Sequence, residues 1–437
     1  MRFLVRVYSL FFTLFLLFVV APLFGYIERA SESDTLFQHL VGLEGVVKIE
    51  RLKSSHWQEK YQLTVEQPVD WNNPNGKKFN QRIFLMNVAF DRPTTLVTEG
   101  YGAAYVKNPN YKEELSTLLN SNLVVVEHRF FLESTPDERE WKFLSAENSA
   151  KDLHRIREIL APLYRERWIA TGISKGGQQA LIYTAYFPQD VDITVPYVAP
   201  LCKGRSDGRH EPFLEQVGTP QERATLAAFQ KRVLQKRGEL APKFDSLCRA
   251  KKYTFALPLE EIYDYSVLEF PFAFWQWGSD IGKVPNGDAS IDEIFKYWMT
   301  ISSPDYFVEE SSYTPFFVQA YKELGYYGYD TKPFKGLLKI KNSRGYLSTL
   351  FVPKEVRGKF NKGLYKKLKR FVSTTNNKML FIYGEYDPWS AVMVNEPYGK
   401  NVVVVTDPKG SHRARISTLP VEMREEATAI LEGWLKN

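Results

Sequence analysis

The sequence predicts an α/β fold, a mostly parallel sheet with crossover helices, interrupted by one large helical insertion. Three observations predict it. Short apolar runs, "TTLVTEG", "NLVVVEHR", "RWIATGIS" and "DITVPYVAP", are spaced to leave room for helices such as "NSAKDLHRIREILAPLY" from Asn148. Buried runs alternating with amphipathic helices mean a parallel sheet covered on both faces. The alternation stops at about Cys202 and resumes at "KMLFIYGEYDPW" and "NVVVVTDPKGSH". A chain of 437 residues, 44% hydrophobic and 25% charged, suits a globular protein with a sizeable core.

The elements follow in chain order. Arg2 and Arg6 precede an uncharged run from Val7 to Ile27. A positive start and a long apolar stretch form an export signal or, at this length, an uncleaved membrane anchor. Residues 1–27 are assigned to it, and the charge placement exports the bulk of the chain to the periplasm, the medium or the cell envelope. "YQLTVEQPVDW" and "RIFLMNVAF" read as strands joined by the turn "NNPNGKK", a hairpin. Residues 28–201 then form the first part of the sheet domain, 202–376 the helical cap insertion, and 377–437 the second part. Within the insertion "VGTPQERATLAAFQKRVLQKRGEL" has a Thr-Pro helix start, and the chain closes on the helix "PVEMREEATAILEGWLK".

Composition excludes some partners. Net charge is +6, and the only basic block is "KKLKR" at Lys366 to Arg370, so nucleic acid is not expected. A membrane is touched only by the N-terminal segment if it stays uncleaved. Cys202 and Cys248 are either a disulfide or two buried thiols. No His/Cys spacing of a metal site occurs, and no metal or organic cofactor is expected.

The chemistry centres on Gly172-Ile173-Ser174-Lys175-Gly176, a G-x-S-x-G with a strand before it and a helix after. So tight a turn admits only small residues beside the serine. It lifts the hydroxyl above the sheet edge and turns the Lys175 N–H toward an oxyanion. A hydroxyl nucleophile needs a base, and the base an orienting acid. Of the six histidines only His210 and His412 follow Ser174. His210 opens the insertion, whereas His412 sits in the loop "DPKGSHR" after an apolar strand, where the base belongs. The loop after the preceding strand offers Asp387 and, as competitor, Glu385; Asp387 is preferred because Pro388 and Trp389 stiffen its loop. Asp407 lies beyond the last strand. "VTEGYGAAY" supplies a second oxyanion donor, the N–H of Tyr101 or Gly102. Glu127, His128 and Arg129 read as a buried cluster bracing these loops.

Taken together, "TEGYG", "EHRFF", "D.HR" at Asp152 to Arg155, "TGISKGGQ", "PFAFWQWG", "GEYDPWS" and "GSHRAR", in this order, resemble the secreted tripeptidyl aminopeptidase family of serine peptidases. That family is related to prolyl carboxypeptidase and the lysosomal dipeptidyl peptidases. The resemblance spans nearly the whole chain after residue 27. It implies an α/β hydrolase with a helical cap and the triad Ser174, Asp387 and His412. It also implies release of short peptides, often tripeptides and often after proline, from free N-termini of oligopeptides. One departure is "GTPQERATL", where relatives tend to carry a cysteine before the arginine. Here Gln221 and Glu222 stand before Arg223, so a disulfide there is absent or moved, with Cys248 as the substitute.

Counting residues from an N-terminus requires an acid placed to pair with the substrate ammonium. The insertion offers Asp207, Glu211, Glu269, Glu309 and Glu310. The sequence does not choose among them; Glu309 and Glu310 are carried as the expected pair. Trp275 and Trp277, in "FPFAFWQWG", are expected to line a pocket for proline or an apolar side chain, although the same cluster suits a cap core equally. The competing readings are a carboxylester hydrolase on the same triad and a non-catalytic cell-surface binding protein.

Overall fold

In the computed structural model, residues 35–309, 311–356 and 358–436 are described. The export segment and Glu310 lie outside them. No helix among the described residues is long and apolar enough to cross a membrane.

Among the described residues nine strands form one sheet: β1 (Val46–Arg51), β2 (Glu59–Pro68), β3 (Lys78–Asn87), β4 (Thr94–Thr98), β5 (Asn122–Val126), β6 (Trp168–Ile173), β7 (Ile193–Tyr197), β8 (Lys378–Gly384) and β9 (Val402–Asp407). Their spatial order is β1-β2-β3-β5-β4-β6-β7-β8-β9. The first three and the β3–β5 pair are antiparallel; the remaining pairs are parallel. The expected hairpin is β2–β3. β1 is an addition to the expected strands: this edge strand buries none of its residues fully and so shows no apolar run. The parallel strands β4, β5 and β7 are buried along their whole length, as a sheet covered on both faces requires.

Topology already places a site. The chain leaves β4 toward β5 on one side and returns to β6 on the other. In open α/β sheets the crevice beyond the carboxyl ends of strands at such a reversal is where ligands bind. The loops after β4, β6, β8 and β9 all emerge at that edge.

Between β7 and β8 the described chain contains no strand, only helices and turns. The helix Pro220–Gln235 begins at the expected Thr-Pro start and carries a capping box, Thr219 with Glu222. A second helix, Leu259–Gln276, buries Ile262 through Phe270 and Phe272 through Trp275 and forms the spine of the region. Its aromatic side chains form a continuous core with Phe229, Trp298 and Phe307, and this core reaches Trp389 in the loop after β8. Cys202 and Cys248 are both buried free thiols, so the disulfide alternative does not hold.

Candidate active site

Ser174 follows β6 and begins the helix Lys175–Tyr186 with φ 57° and ψ −120°. That left-handed backbone is costly for a serine and persists because the surroundings fix it. The Ser174 N–H donates to the Tyr197 carbonyl on β7 at 2.9 Å. The flanking glycines are demanded by close backbone approach. A Cβ on Gly172 would lie 2.4 Å from the Gly176 carbonyl oxygen, and one on Gly176 would lie 2.8 Å from the Thr98 oxygen. One on Gly177 would meet the Tyr197 oxygen at 2.7 Å. The Thr98 hydroxyl crosses the turn and donates to the carbonyls of Thr171 and Gly176 at 3.1 and 3.0 Å.

Asp387 follows β8 and caps the short turn Pro388–Val392, accepting from the Trp389 N–H. Its other carboxylate oxygen lies 2.6 Å from Nδ1 of His412, in the loop after β9. Asp387 is 0% exposed and His412 5%, so this charge-assisted bond is shielded from water. The two loops are laced together. Glu385 N–H donates to the Asp407 carbonyl at 3.0 Å and Tyr386 N–H to the Gly410 carbonyl at 2.8 Å. Gly384 is required there, since a Cβ would sit 2.3 Å from the Ser411 oxygen. Glu385, the competing acid, is exposed and accepts the Lys409 N–H instead. Asp407 accepts from the Thr418 hydroxyl. Of the three acids, Asp387 alone meets the His412 ring.

Lys175 is unusual for its position. Its side chain is buried at 2% exposure, and Nζ donates to the Gly100 carbonyl at 2.5 Å. It thereby ties the serine turn to the loop after β4 that carries Tyr101 and Gly102. Burial holds its ammonium well below the ordinary lysine range, with Glu99 and Glu323 opposing. Burial also pushes the Glu99 carboxyl up, opposed by the Tyr105 hydroxyl and the backbone N–H groups of Gly100 and Tyr101.

The cluster Glu127-His128-Arg129 lies under this loop. Glu127 pairs with Arg82 and accepts the Ala103 N–H at 2.8 Å. Arg129 makes a two-pronged bond to Asp152 at 2.6 and 2.7 Å and donates to the Pro68, Val69 and Phe143 carbonyls. His128 N–H holds the Tyr101 carbonyl at 3.1 Å. Every contact is internal, so the cluster braces the site. Burial, with the Lys175 charge adding to it, keeps the His128 ring well below the ordinary histidine range.

The expected substrate-binding residues divide. Trp277 is 49% exposed, and its ring stands edge-on to His412 at 6.0 Å. The preceding carbonyl, that of Gln276, accepts the His412 N–H at 2.9 Å. Trp275 is buried in the cap core, its ring against Tyr386 of the acid loop. Glu309 is exposed, and its N–H donates to the Thr254 carbonyl. Glu269, one of the five acids left equivalent by sequence, is instead buried among tyrosines near Trp389. Among the described residues no three His, Cys, Asp or Glu side chains converge as a metal site.

The family model described as PS-10 peptidase S37 matches residues 33–436. A prolyl tri/tetrapeptidyl aminopeptidase of Streptomyces mobaraensis is 33% identical over 389 residues, covering 85% of this chain and 79% of that protein. Among solved structures, a proline iminopeptidase of Mycobacterium smegmatis aligns with a TM-score of 0.40 and 13% identity over 85% of this chain and 97% of its own. An α/β fold family hydrolase of Bacillus anthracis str. Sterne aligns with a TM-score of 0.32 and 13% identity over 85% and 99%.

Proposed function

The chain belongs to the S37 peptidase family and is a serine peptidase of the tri/tetrapeptidyl aminopeptidase type, and from that premise we propose that it is an exported exopeptidase releasing tripeptides from free N-termini of oligopeptides. In this reading Ser174 attacks the scissile carbonyl. His412 takes its proton and returns it to the leaving amine. Asp387 fixes the His412 ring so that Nε2 faces the serine, and stabilises the imidazolium that forms. The N–H groups of Lys175 and of Gly102 or Tyr101 receive the oxyanion. The acyl-enzyme is then hydrolysed by water with the same histidine as base.

The observation that carries the reading is the 2.6 Å bond between buried Asp387 and His412, at the edge where Ser174 leaves β6 in a left-handed turn. Export rests on Arg2, Arg6 and the apolar run to Ile27. The test is a fluorophosphonate followed by intact mass, combined with product masses from a peptide carrying proline at its third position. One phosphonyl adduct on Ser174 and release of the N-terminal tripeptide are expected. An adduct that persists in Ser174→Ala, or products cut from the carboxyl end, would overturn it.

A further inference from the structure

Glu269 is the outlier of the cap. It is 6% exposed, yet no cation pairs with it among the described residues. Both of its hydrogen bonds fall on Oε2, from the Tyr327 hydroxyl at 2.9 Å and the Tyr329 hydroxyl at 2.6 Å. Among the described residues Oε1 accepts none. Burial pushes its carboxyl up to about 7, and the two hydroxyls only partly oppose that shift. A buried carboxylate without a counter-charge is expensive unless a cation arrives.

The surroundings suit a cation of a particular kind. Tyr327 stacks on Phe272 at 3.8 Å, and both rings meet Trp389 at 5.5 Å. Aromatic faces and an anionic oxygen together bind an ammonium. Trp389 is two residues beyond Asp387 and donates its N–H to the same carboxylate that holds His412. His210, fully buried against Phe272, Tyr327 and Trp389, has neither ring nitrogen hydrogen-bonded among the described residues. His210 is thus a buried polar group without a hydrogen bond among the described residues, in ring contact both with Tyr327, which holds Glu269, and with Trp389 of the acid loop.

The helix Leu259–Gln276 sets the distance. Glu269 and Gln276 lie on one face of it, two turns apart, about 10 Å along the axis. The Gln276 carbonyl accepts the His412 N–H at 2.9 Å. Three residues of extended peptide also span about 10 Å. We infer that Glu269, held by Tyr327 and Tyr329, is the carboxylate that receives the free α-ammonium of the substrate, and that its two-turn offset from Gln276 sets release at three residues. This rests on the aminopeptidase reading above.

The other acids of the insertion fit less well. Asp207 is bound by Arg209 at 2.5 and 2.8 Å and by the Lys203 N–H. Glu309 is exposed. Glu211 has one oxygen sealed from solvent and without a partner among the described residues, which makes it the comparator to test.

The experiment measures kcat/KM for a peptide with proline at position three and for its N-acetyl twin, in wild type, Glu269→Gln, Glu269→Asp and Glu211→Gln. Wild type should prefer the free amine by about 100-fold, and Glu269→Gln should bring the two substrates within a few-fold, chiefly through KM of the free peptide. Glu269→Asp, which keeps the charge on a shorter arm, should fall between and covers the case in which Glu269→Gln does not fold. The full wild-type preference retained in either Glu269 variant, or erased by Glu211→Gln instead, overturns the assignment while leaving the aminopeptidase intact. Equal cleavage of the twins by wild type overturns both.

Discussion

The sheet edge and the cap are built by opposite means. At the edge, the serine turn is a contiguous stretch packed backbone against backbone on itself and on the neighbouring strand ends at Thr98 and Tyr197, with Gly172, Gly176 and Gly177 admitting no Cβ. In the cap, Glu269 is gripped by hydroxyls 58 and 60 residues away in sequence, through side chains alone. Reaction chemistry therefore sits where geometry is enforced locally. On the proposed reading, choice of substrate sits where it is set by long-range packing, which can vary without disturbing the proposed triad.

The largest expected effect is at the edge. Ser174→Ala should lower kcat/KM by about 10⁴-fold or more. Ser174→Gly should be as inactive yet more stable than Ser174→Ala by about 1 kcal/mol, read from urea midpoints, because glycine relieves the left-handed turn. Equal stabilities would mean that the turn is unstrained.

Next comes the contrast of two glycines. Gly384→Ala forces a methyl against the Ser411 and Gly410 oxygens, so the His412 loop must shift. Displacement on the ångström scale costs about 100-fold in rate. Gly238, in the cap helix Arg237–Ala250, has nothing within 4 Å of its Cβ position. Gly238→Ala should gain about 0.5–1 kcal/mol with activity unchanged. Similar outcomes at the two positions would erase the contrast between edge and cap.

A smaller effect follows from the Glu269 carboxyl, pushed up to about 7 from an ordinary 4.5. The folded state holds that proton more tightly than the unfolded chain. Its stabilising contribution is therefore complete below the unfolded pKa and is lost as pH rises through the folded one. His210, lowered to about 3 by burial, stays neutral over this range, and the cage tyrosines, raised well above 10 by burial, stay protonated. Between pH 4.5 and 8, wild type should lose stability relative to Glu269→Gln by on the order of 3 kcal/mol, measured by denaturant titration at each pH. A constant difference would mean that Glu269 titrates normally.

The smallest effect belongs to Glu309→Gln. The side chain is exposed, and kcat/KM should stay within about two-fold of wild type on both twins.

This contrast also decides what the sequence discloses. The elbow, the order of Ser174, Asp387 and His412, and the alternation of strands are local patterns, so they are legible in the order of residues along the chain. Thr98, which ties the serine turn together, and Lys175, which reaches Gly100, act across strand ends and leave no pattern to read. The cap is less legible still. Glu269 looks like any other acid until Tyr327 and Tyr329 close on it, and the aromatic run from Phe270 to Gly278 divides into a buried Trp275 and an exposed Trp277 only through helix phase. β1, an edge strand with no fully buried residue, lacks the apolar run that marks its neighbours.

If catalysis at the edge is metered by a fixed acid in the cap, peptide length must matter sharply. The deciding measurement is kcat/KM for a ladder of free-amine peptides with one to six residues before a single proline-linked reporter. A sharp maximum at three residues, falling away on both sides and vanishing when the ladder is N-acetylated, is the predicted result. A profile flat with length, or one that survives acetylation, would contradict it.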